Sequence, residues 1–413
     1  MAKDFAGINR MEAEAGLQAP GAEVTTSTKQ DVTSRFVAMW EKKSAQRALR
    51  GGTVSTMALT LAACGGDDDD PVVGDSGGET TPTAQSFTLT TDTDTGEEFT
   101  GGAGDDTFDA PVVESQGGQL IETLQSVDDI DGGEGTDTLT AGLNGTGPNG
   151  TIPVITDIEN LFLRATGVNA STLDASFTAG AEQVWSDRST AGLNVTNVQN
   201  LVTIGLDNTE FNYAVIYEPD ALSAEEATQN VVLRNGVGED GNPVTLTLGA
   251  AGDDAITTLN VTNSGDSFLN IAMDANGNTH TIETVSVSGT GSLTAGDGGF
   301  AFGSVATIDA AGFEGDLIGA GTANVAEAED PGDVDVTDAS VATGSGDDVI
   351  DITATVADRE ISVALGAGDD VLTIDEAGMT EADATTAGDS YDGGEGDDTL
   401  ILDSNIDLAA DFS

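Results

Sequence analysis

The hydrophobic pattern of this chain changes at about residue 86. From there onward, short apolar runs alternate with polar residues at a period of two, and Gly, Asp and Asn separate the runs. That period is typical of strands with one buried face, and the separating residues are typical of tight turns. One layout recurs, with an Ile or Val, two polar residues and then alternating apolar positions. Its copies are Ile158–Leu163, Val198–Thr203 and Ile282–Val287.

A strand layout that recurs at irregular intervals indicates stacked rungs joined by loops of variable length. We therefore expect residues 86–413 to form an all-β fold, a right-handed parallel β-solenoid resembling a β-roll with irregular loops. The strands expected from the pattern are Ser86–Thr90, Ile158–Leu163, Leu201–Ile204, Val244–Leu248, Leu259–Thr262, Thr284–Ser288, Asp333–Val336, Ile361–Leu365 and Leu400–Leu402.

Residues 1–64 differ from the rest and form a leader that we expect to be partly helical or disordered. Thr33–Leu49 has a helix-compatible apolar stripe, and Thr53–Ala63 is a mildly apolar stretch that follows four basic residues. That stretch is shorter than the roughly 20 residues of a membrane-spanning helix and has the length of a signal-peptide core. Leu61-Ala62-Ala63-Cys64 resembles a bacterial lipobox, which implies a lipid anchor at Cys64 in the outer membrane. The alternative is a bystander cysteine in an uncleaved leader.

Residues 65–85 form an acidic linker of low complexity. The linker contains Gly74–Gly78 (GDSGG), which matches the serine motif of trypsin-like proteases. A nucleophilic serine needs a positioned base, whereas His280 is the one histidine of the chain, no strand-rich barrel precedes the serine, and its flanks are linker. We interpret the match as a coincidence, predict no catalytic residues and expect that the chain is not an enzyme.

The charge of the chain restricts its partners. The formal net charge is −61, from 73 acidic and 12 basic residues, and after residue 66 there are four arginines and no lysine. Nucleic acid is excluded as a partner, because phosphate binding requires clusters of Lys and Arg. So acidic a body repels itself unless cations neutralise it. The single cysteine excludes an internal disulfide framework and a cysteine-rich zinc site.

The chemistry-bearing motif is a nonapeptide with the pattern Gly-Gly-x-Gly-x-Asp-x-U-x, where U is apolar. Gly101–Asp109, Gly132–Thr140 and Gly393–Ile401 match it at every defined position. Thr343–Asp351 and Leu365–Thr373 lack only the first glycine, and Gly249–Thr257 is a degenerate copy.

These motifs predict calcium sites. Glycine permits a turn with positive φ that exposes backbone carbonyls, and the sixth-position Asp supplies a hard carboxylate oxygen, the ligand type that Ca²⁺ prefers. The alternative, a generic Asp-Gly turn, is disfavoured because six copies each precede an apolar strand. The predicted metal-site residues are Gly102, Gly104, Asp106, Gly133, Gly135, Asp137, Asp254, Asp348, Gly366, Gly368, Asp370, Gly394, Gly396 and Asp398. The expected core partners are Phe108, Leu139, Ile256, Ile350, Leu372 and Leu400.

The nonapeptides resemble those of RTX-type (haemolysin-type) calcium-binding proteins, and residues 86–210 are similar to RTX-related bacterial S-layer and surface proteins. The resemblance implies a parallel β-roll with calcium between successive turns. In that family the copies are tandem, whereas here the closest copies start about 20–30 residues apart. We therefore expect separate calcium sites, each closed by a turn from the intervening sequence. The candidates are Asp92, Asp94, Asp128, Asp129, Asp131, Asp389 and Asp392.

The expected function is architectural. A calcium-stiffened solenoid outside the cell fits a surface-layer, matrix or adhesin-like protein, secreted or held at the bacterial cell surface, which could associate with further copies. Two alternatives stay open: an enzyme carrying an RTX export module, and a lipid-anchored polysaccharide-binding protein.

Overall fold

The computed structural model describes residues 82–145, 150–219, 221–222, 227–250, 256–273, 282–295, 305–320, 339–353, 361–375 and 390–403. All regular secondary structure within these ranges is β-strand, which confirms the predicted all-β class. The strands are β1 (Ser86–Thr88), β2 (Thr95–Thr100), β3 (Thr107–Ala110), β4 (Val112–Glu114), β5 (Leu120–Glu122), β6 (Asp129–Asp131), β7 (Thr138–Leu143), β8 (Val154–Thr156), β9 (Asn160–Ala165), β10 (Ser171–Asp174), β11 (Thr178–Ala179), β12 (Gln183–Asp187), β13 (Leu193–Val198), β14 (Thr203–Thr209) and β15 (Tyr213–Tyr217). They continue as β16 (Ala227–Val237), β17 (Val244–Ala250), β18 (Ile256–Ser264), β19 (Ser267–Met273), β20 (Thr284–Thr290), β21 (Leu293–Ala295), β22 (Thr307–Asp309), β23 (Leu317–Ala320), β24 (Ala339–Ala342), β25 (Val349–Thr353), β26 (Ile361–Ala364), β27 (Val371–Asp375), β28 (Ser390–Asp392) and β29 (Thr399–Asp403).

The strands form two long stacks in which nearly every pairing is between parallel strands one rung apart. The first stack, called sheet 1, runs β1, β3, β7, β9, β12, β14, β16, β18, β20, β22, β24, β26 and β28. The second, sheet 2, runs β10, β13, β15, β17, β19, β21, β23, β25, β27 and β29. One pair, Val237 with Ser267, joins the two stacks into a sheet of 23 strands. This alternation between two stacks is the predicted parallel β-solenoid.

The first rungs also carry a small side sheet. It contains β2, β6, β8 and β11, paired in parallel. The β4–β5 hairpin is antiparallel and lies in the chain between β3 and β6, that is, between the first and second strands of the side sheet. Near the N-terminal end the chain therefore passes from the side sheet into sheet 1, whereas near the C-terminal end it passes from sheet 1 into sheet 2.

The core lies between the stacks because alternate residues of each strand point inward. In β16 the positions with side chains buried are Ala227, Gln229, Val231, Leu233 and Val237, and their neighbours are partly or fully exposed. Buried apolar residues of both sheets belong to one continuous cluster. A period-2 pattern therefore becomes two inner faces that share a core, as expected for packed β layers.

Most of the expected strands are present, with small differences at their ends. Leu201 is 37% exposed and precedes its strand, which starts at Thr203 instead. The leader, Cys64, residues 65–81 of the linker, His280, Asp389 and the strand expected at Asp333–Val336 lie outside the described residues. Across the described ranges, no helix has the length and apolarity needed to cross a membrane.

Candidate metal centre

Three sixth-position carboxylates or their equivalents stack at one corner near the N-terminal end. Asp106 Oδ1 accepts the backbone N–H of Gln85 at 2.6 Å, and Asp137 Oδ1 accepts the N–H of Asp106 at 2.6 Å. Glu159 Oε2 then accepts the N–H of Asp137 at 2.8 Å. Each carboxylate thus caps the corner of the preceding rung. We call these residues the N-terminal staircase.

A second staircase with the same polarity lies near the C-terminal end. Asp348 Oδ1 accepts the N–H of Leu317 at 2.7 Å, Asp370 Oδ1 accepts that of Asp348 at 2.8 Å, and Asp398 Oδ1 accepts that of Asp370 at 3.1 Å. These turns lead from sheet 1 into β25, β27 and β29 of sheet 2. The two staircases therefore sit at different corners of the solenoid, and each is continuous within itself.

The expectation that the nonapeptide turns lie apart from one another is wrong within each staircase. Successive nonapeptides are 22 to 31 residues apart, and this distance is the length of one full rung, so they stack directly on one another. Asp94 and Asp128 instead cap a different turn: Asp94 accepts the N–H and hydroxyl of Thr90, and Asp128 accepts the N–H groups of Asp94 and Gln125. All four of their carboxylate oxygens are thereby used.

The other proposed closing residues flank the motifs. Asp131 accepts the N–H of Gly133 at 3.1 Å, and Asp392 accepts that of Gly394 at 3.1 Å, so both shape the starts of their own turns. Asp92 is exposed, and Asp129 is the first residue of the short side-sheet strand β6.

Close backbone approach explains why glycine is needed in these turns. Gly133 has φ of +90°, and a Cβ there would collide with the carbonyl oxygen of Gly102 in the preceding rung. Six predicted glycines adopt positive φ: Gly133, Gly135, Gly366, Gly368, Gly394 and Gly396. Gly102 and Gly104 do not, so the expected positive φ is wrong for the first turn. There the constraint is space, because a Cβ on Gly104 would press on the backbone of Thr83.

The staircases contain carboxylate oxygens that the protein leaves without a partner. The second oxygens of Asp137 and Asp370 are buried and make no hydrogen bond, and both residues are 0% exposed. The Asp348 carboxylate is equally buried, but Thr343 and Gly344 approach it as donors of poorer geometry. Burial raises the pKa of Asp137 to about 6. The hydrogen bond from the Asp106 N–H lowers this pKa, whereas repulsion from the carboxylates of Glu159, Asp106 and Asp105 raises it further. Buried polar atoms are normally satisfied, so each such oxygen indicates a missing proton or cation.

Burial and repulsion also raise carboxylate pKa values at the C-terminal staircase. Burial raises the pKa of Asp370 to about 6, and repulsion from Asp348, Asp398 and Asp347 adds to the rise. Burial also raises the pKa of Asp348, although the hydrogen bond from Leu317 opposes the rise. Without a counter-ion, ionised carboxylates at these corners are costly.

The donors fit a hard cation, but not one held by side chains alone. In the described ranges no group of three or more His, Cys, Asp or Glu side chains converges as a metal-ligand cluster. A shell at these corners would therefore combine one or two carboxylates with the carbonyl oxygens that the glycine turns bring close. Oxygen-only ligands of this mixed kind suit Ca²⁺, which tolerates six to eight ligands and irregular geometry.

Sequence reasoning missed a second, exposed column of aspartates at the fifth motif position. Asp347 Oδ1 accepts the N–H of Asp369 at 2.9 Å, and Asp369 Oδ1 accepts that of Asp397 at 3.0 Å. Asp105 Oδ1 likewise accepts the N–H of Thr136. The polarity is opposite to that of the staircases, so each turn both gives and receives a cap. The Asp-Asp pair within the motif was the available signal.

The structure places the predicted core partners as expected where it describes them. Phe108, Leu139, Ile256, Ile350 and Leu372 are buried, and Leu400 packs partly buried against the core. Asp254, the sixth-position residue of the degenerate copy, lies outside the described residues.

A cluster of two arginine–aspartate ion pairs on the outer face of sheet 1 also escaped prediction. The Arg234 guanidinium lies 3.8 Å from the ring centre of Trp185 and 3.2 Å from Asp207, while Arg188 pairs with Asp187 at 2.9 Å. The indole lies flat over Gly205 of the next rung, where a Cβ would overlap it. These contacts cover a large aromatic residue that would otherwise face solvent.

In comparisons with known proteins, no protein-family model matches the chain and no characterised protein is significantly similar to it in sequence. The RTX resemblance therefore stays a prediction that depends on the motifs themselves.

Proposed function

We propose that this chain is a calcium-binding structural protein of the cell surface or extracellular space, surface-layer, matrix or adhesin-like, whose solenoid is stabilised by Ca²⁺ at its stacked glycine–aspartate turns. The observation that carries the proposal is the pair of buried carboxylate oxygens, Oδ2 of Asp137 and Oδ2 of Asp370, that have no hydrogen-bond partner. They lie in turns whose glycines approach the backbone of the preceding rung too closely to carry a side chain. A bound cation would satisfy these oxygens and remove the repulsion along each staircase.

The net charge of −61 also favours a protein that is stabilised by bound cations. Metal binding that neutralises buried carboxylates contributes directly to folding free energy, because the unfolded chain does not assemble the site. The motifs resemble those of RTX-type surface proteins, and we propose that the chain is related to them.

A calcium titration of the full chain tests this function. Far-UV circular dichroism and thermal unfolding should show a gain in β signal and melting temperature with Ca²⁺, reversed by chelator, while Mg²⁺ at equal concentration has little effect. Changing Asp106, Asp137, Asp370 and Asp398 together to Asn should weaken the response, and Ser76→Ala should leave it unchanged. A fold and melting temperature indifferent to calcium would refute the function.

Export and anchoring form the finer part of the proposal. The lipobox-like Leu61–Cys64 favours an outer-membrane lipid anchor, and labelling with a radioactive or clickable fatty acid tests it, with Cys64→Ser as control. A fully released protein would stay unlabelled.

Self-association is proposed from the outer face of sheet 2. Successive rungs place partly exposed side chains in one column, near the exposed aspartates of the fifth motif position. The apolar members of this column are Phe268, Ile318, Val349 and Val371, and the polar Thr294 lies between the first two. Such a stripe is an association surface once calcium lowers the charge repulsion. Sedimentation velocity with and without Ca²⁺ tests it, with Ile318→Glu expected to give monomers.

A further inference from the structure

Glu159 occupies the sixth-position site of a rung that has no nonapeptide. It belongs to the recurring Ile-Glu-Asn layout, yet its carboxylate takes the next place in the column after Asp106 and Asp137. Strand register fixes the equivalence, because Thr138 of β7 pairs with Asn160 of β9, and Asp137 and Glu159 immediately precede them.

The third turn is shorter than the second, and this explains why a glutamate stands there. Asp131 pairs with Thr156 at the start of the corner, so the second turn needs six residues to reach Asp137. The third needs only three to reach Glu159. From this shorter turn the Glu159 carboxylate accepts the Asp137 N–H at 2.8 Å.

A backbone carbonyl and a partnerless carboxylate oxygen face the same space between these two turns. A Cβ added to Gly132 would collide with the carbonyl oxygen of Asp157 and lie 2.5 Å from Asp137 Oδ2. Asp157 has φ of +51°, the backbone conformation that glycine supplies in the nonapeptides. Asp137 Oδ2 is fully buried and makes no hydrogen bond. Within the described residues, the one hydrogen bond of the Glu159 side chain uses Oε2.

From this arrangement we propose that Glu159 is a cation ligand and closes a site between the second and third turns. Asp137 Oδ2, the free oxygen of Glu159 and the Asp157 carbonyl are the donors that the chain offers there. The proposal rests on the proposed calcium function and extends it: the N-terminal staircase holds one more cation than its nonapeptides alone would predict. All the donors are oxygen, which favours Ca²⁺.

Two substitutions separate the ligand role of Glu159 from its capping role. Glu159→Gln keeps an oxygen that can accept the Asp137 N–H but removes the charge. Glu182→Gln is the matched control, because Glu182 holds the same position one rung further on and is exposed. Glu159→Asp keeps the charge but loses the reach that the short turn requires.

Calcium binding to the full-length variants is measured by isothermal titration calorimetry, with thermal unfolding of the same samples in chelator. We expect Glu159→Gln to lose one calcium per chain, or to weaken one site by at least about tenfold, with its metal-free melting temperature unchanged or higher. Glu159→Asp should lose the calcium and also melt lower without metal, and Glu182→Gln should match the wild type.

Unchanged stoichiometry and affinity in Glu159→Gln, beside a clear loss in Asp137→Asn, would overturn the ligand role and leave Glu159 as a cap only, with the calcium function intact. A wild type that binds no calcium would instead refute the proposed function itself. The two failures are thus distinguished in one experiment.

Discussion

Replacing Asp370 with Asn should have opposite effects with and without calcium. Asp370 is fully buried, its Oδ1 caps the Asp348 N–H, and its Oδ2 has no partner. Asn keeps an acceptor for that N–H and removes the charge. The metal-free protein should therefore become more stable at pH 7, while the calcium-loaded protein should become less stable.

The magnitude follows from the pKa. Burial raises the pKa of Asp370 from 3.8 to about 6, so only well below its unfolded pKa of 3.8 is the group neutral in both states and without effect on stability. As pH rises from 4 to above 6, the unfolded chain loses its proton first, and the folded state becomes progressively less stable. A shift of two units is at most about 3 kcal/mol. Screening by nearby water and the unpaired amide N–H₂ of Asn reduce the expected gain to about 1 kcal/mol.

The assay is thermal unfolding from pH 4 to pH 8 in chelator and in calcium. Asp369→Asn is the control, because Asp369 is the neighbouring residue and is exposed, so this substitution removes one negative charge from the surface and not from the core. In chelator, the wild type should lose stability between pH 4 and 7 more than Asp370→Asn does. In calcium at a hundredfold excess over Kd, the wild type should gain about 2.7 kcal/mol per site, and the variant should lack that site's share. If Asp370→Asn melts lower than the wild type at pH 7 in both solutions, the carboxylate is not the strained group we infer.

Three further experiments probe the solenoid itself. Gly133→Ala should destabilise the fold by more than about 2 kcal/mol because it adds a backbone collision to positive φ, whereas Gly96→Ala, with φ of +85° and open space, should cost only about 1 kcal/mol in denaturant unfolding. Gln229→Leu should cost about 2–3 kcal/mol in the same assay, since a buried carbonyl and a buried tyrosine hydroxyl lose their partner; an equal denaturation midpoint would contradict this. Arg234→Ala should increase acrylamide quenching of Trp185 fluorescence, because the guanidinium covers the ring.

The sequence predicted the class of fold because its pattern is local. Period-2 alternation in segments such as Val244–Leu248 and Leu259–Thr262 specifies strands with one buried face, and irregular recurrence specifies a solenoid. Which strands pair is not local. The alternation between two stacks depends on rung length, and the loop insertions of each rung conceal that length in the sequence.

Sequence reasoning identified the glycine–aspartate turns but not how they assemble. Copies 22 to 31 residues apart looked separate beside a tandem repeat, yet each interval is one rung, so the turns stack directly. Glu159 could not be found from the nonapeptide pattern because its turn has no glycine and reaches the column with a longer side chain. Asp94 and Asp128 looked like ligands because composition does not reveal which oxygens are already hydrogen-bonded.

The middle rungs fill the same corners with uncharged residues, and this limits where the fold depends on cations. In the column of the N-terminal staircase, Val202, Gln229 and Leu259 follow the last carboxylates, and Gln229 is satisfied by the Val202 carbonyl and a tyrosine hydroxyl. In the other column, Leu293 and Leu317 precede Asp348. A solenoid is stabilised mainly by contacts between neighbouring rungs, so loss of cations should act locally. Chelation should therefore raise amide hydrogen exchange in residues 101–143 and 339–403 before residues 193–273, and uniform exchange along the chain would contradict two independent cation-dependent ends.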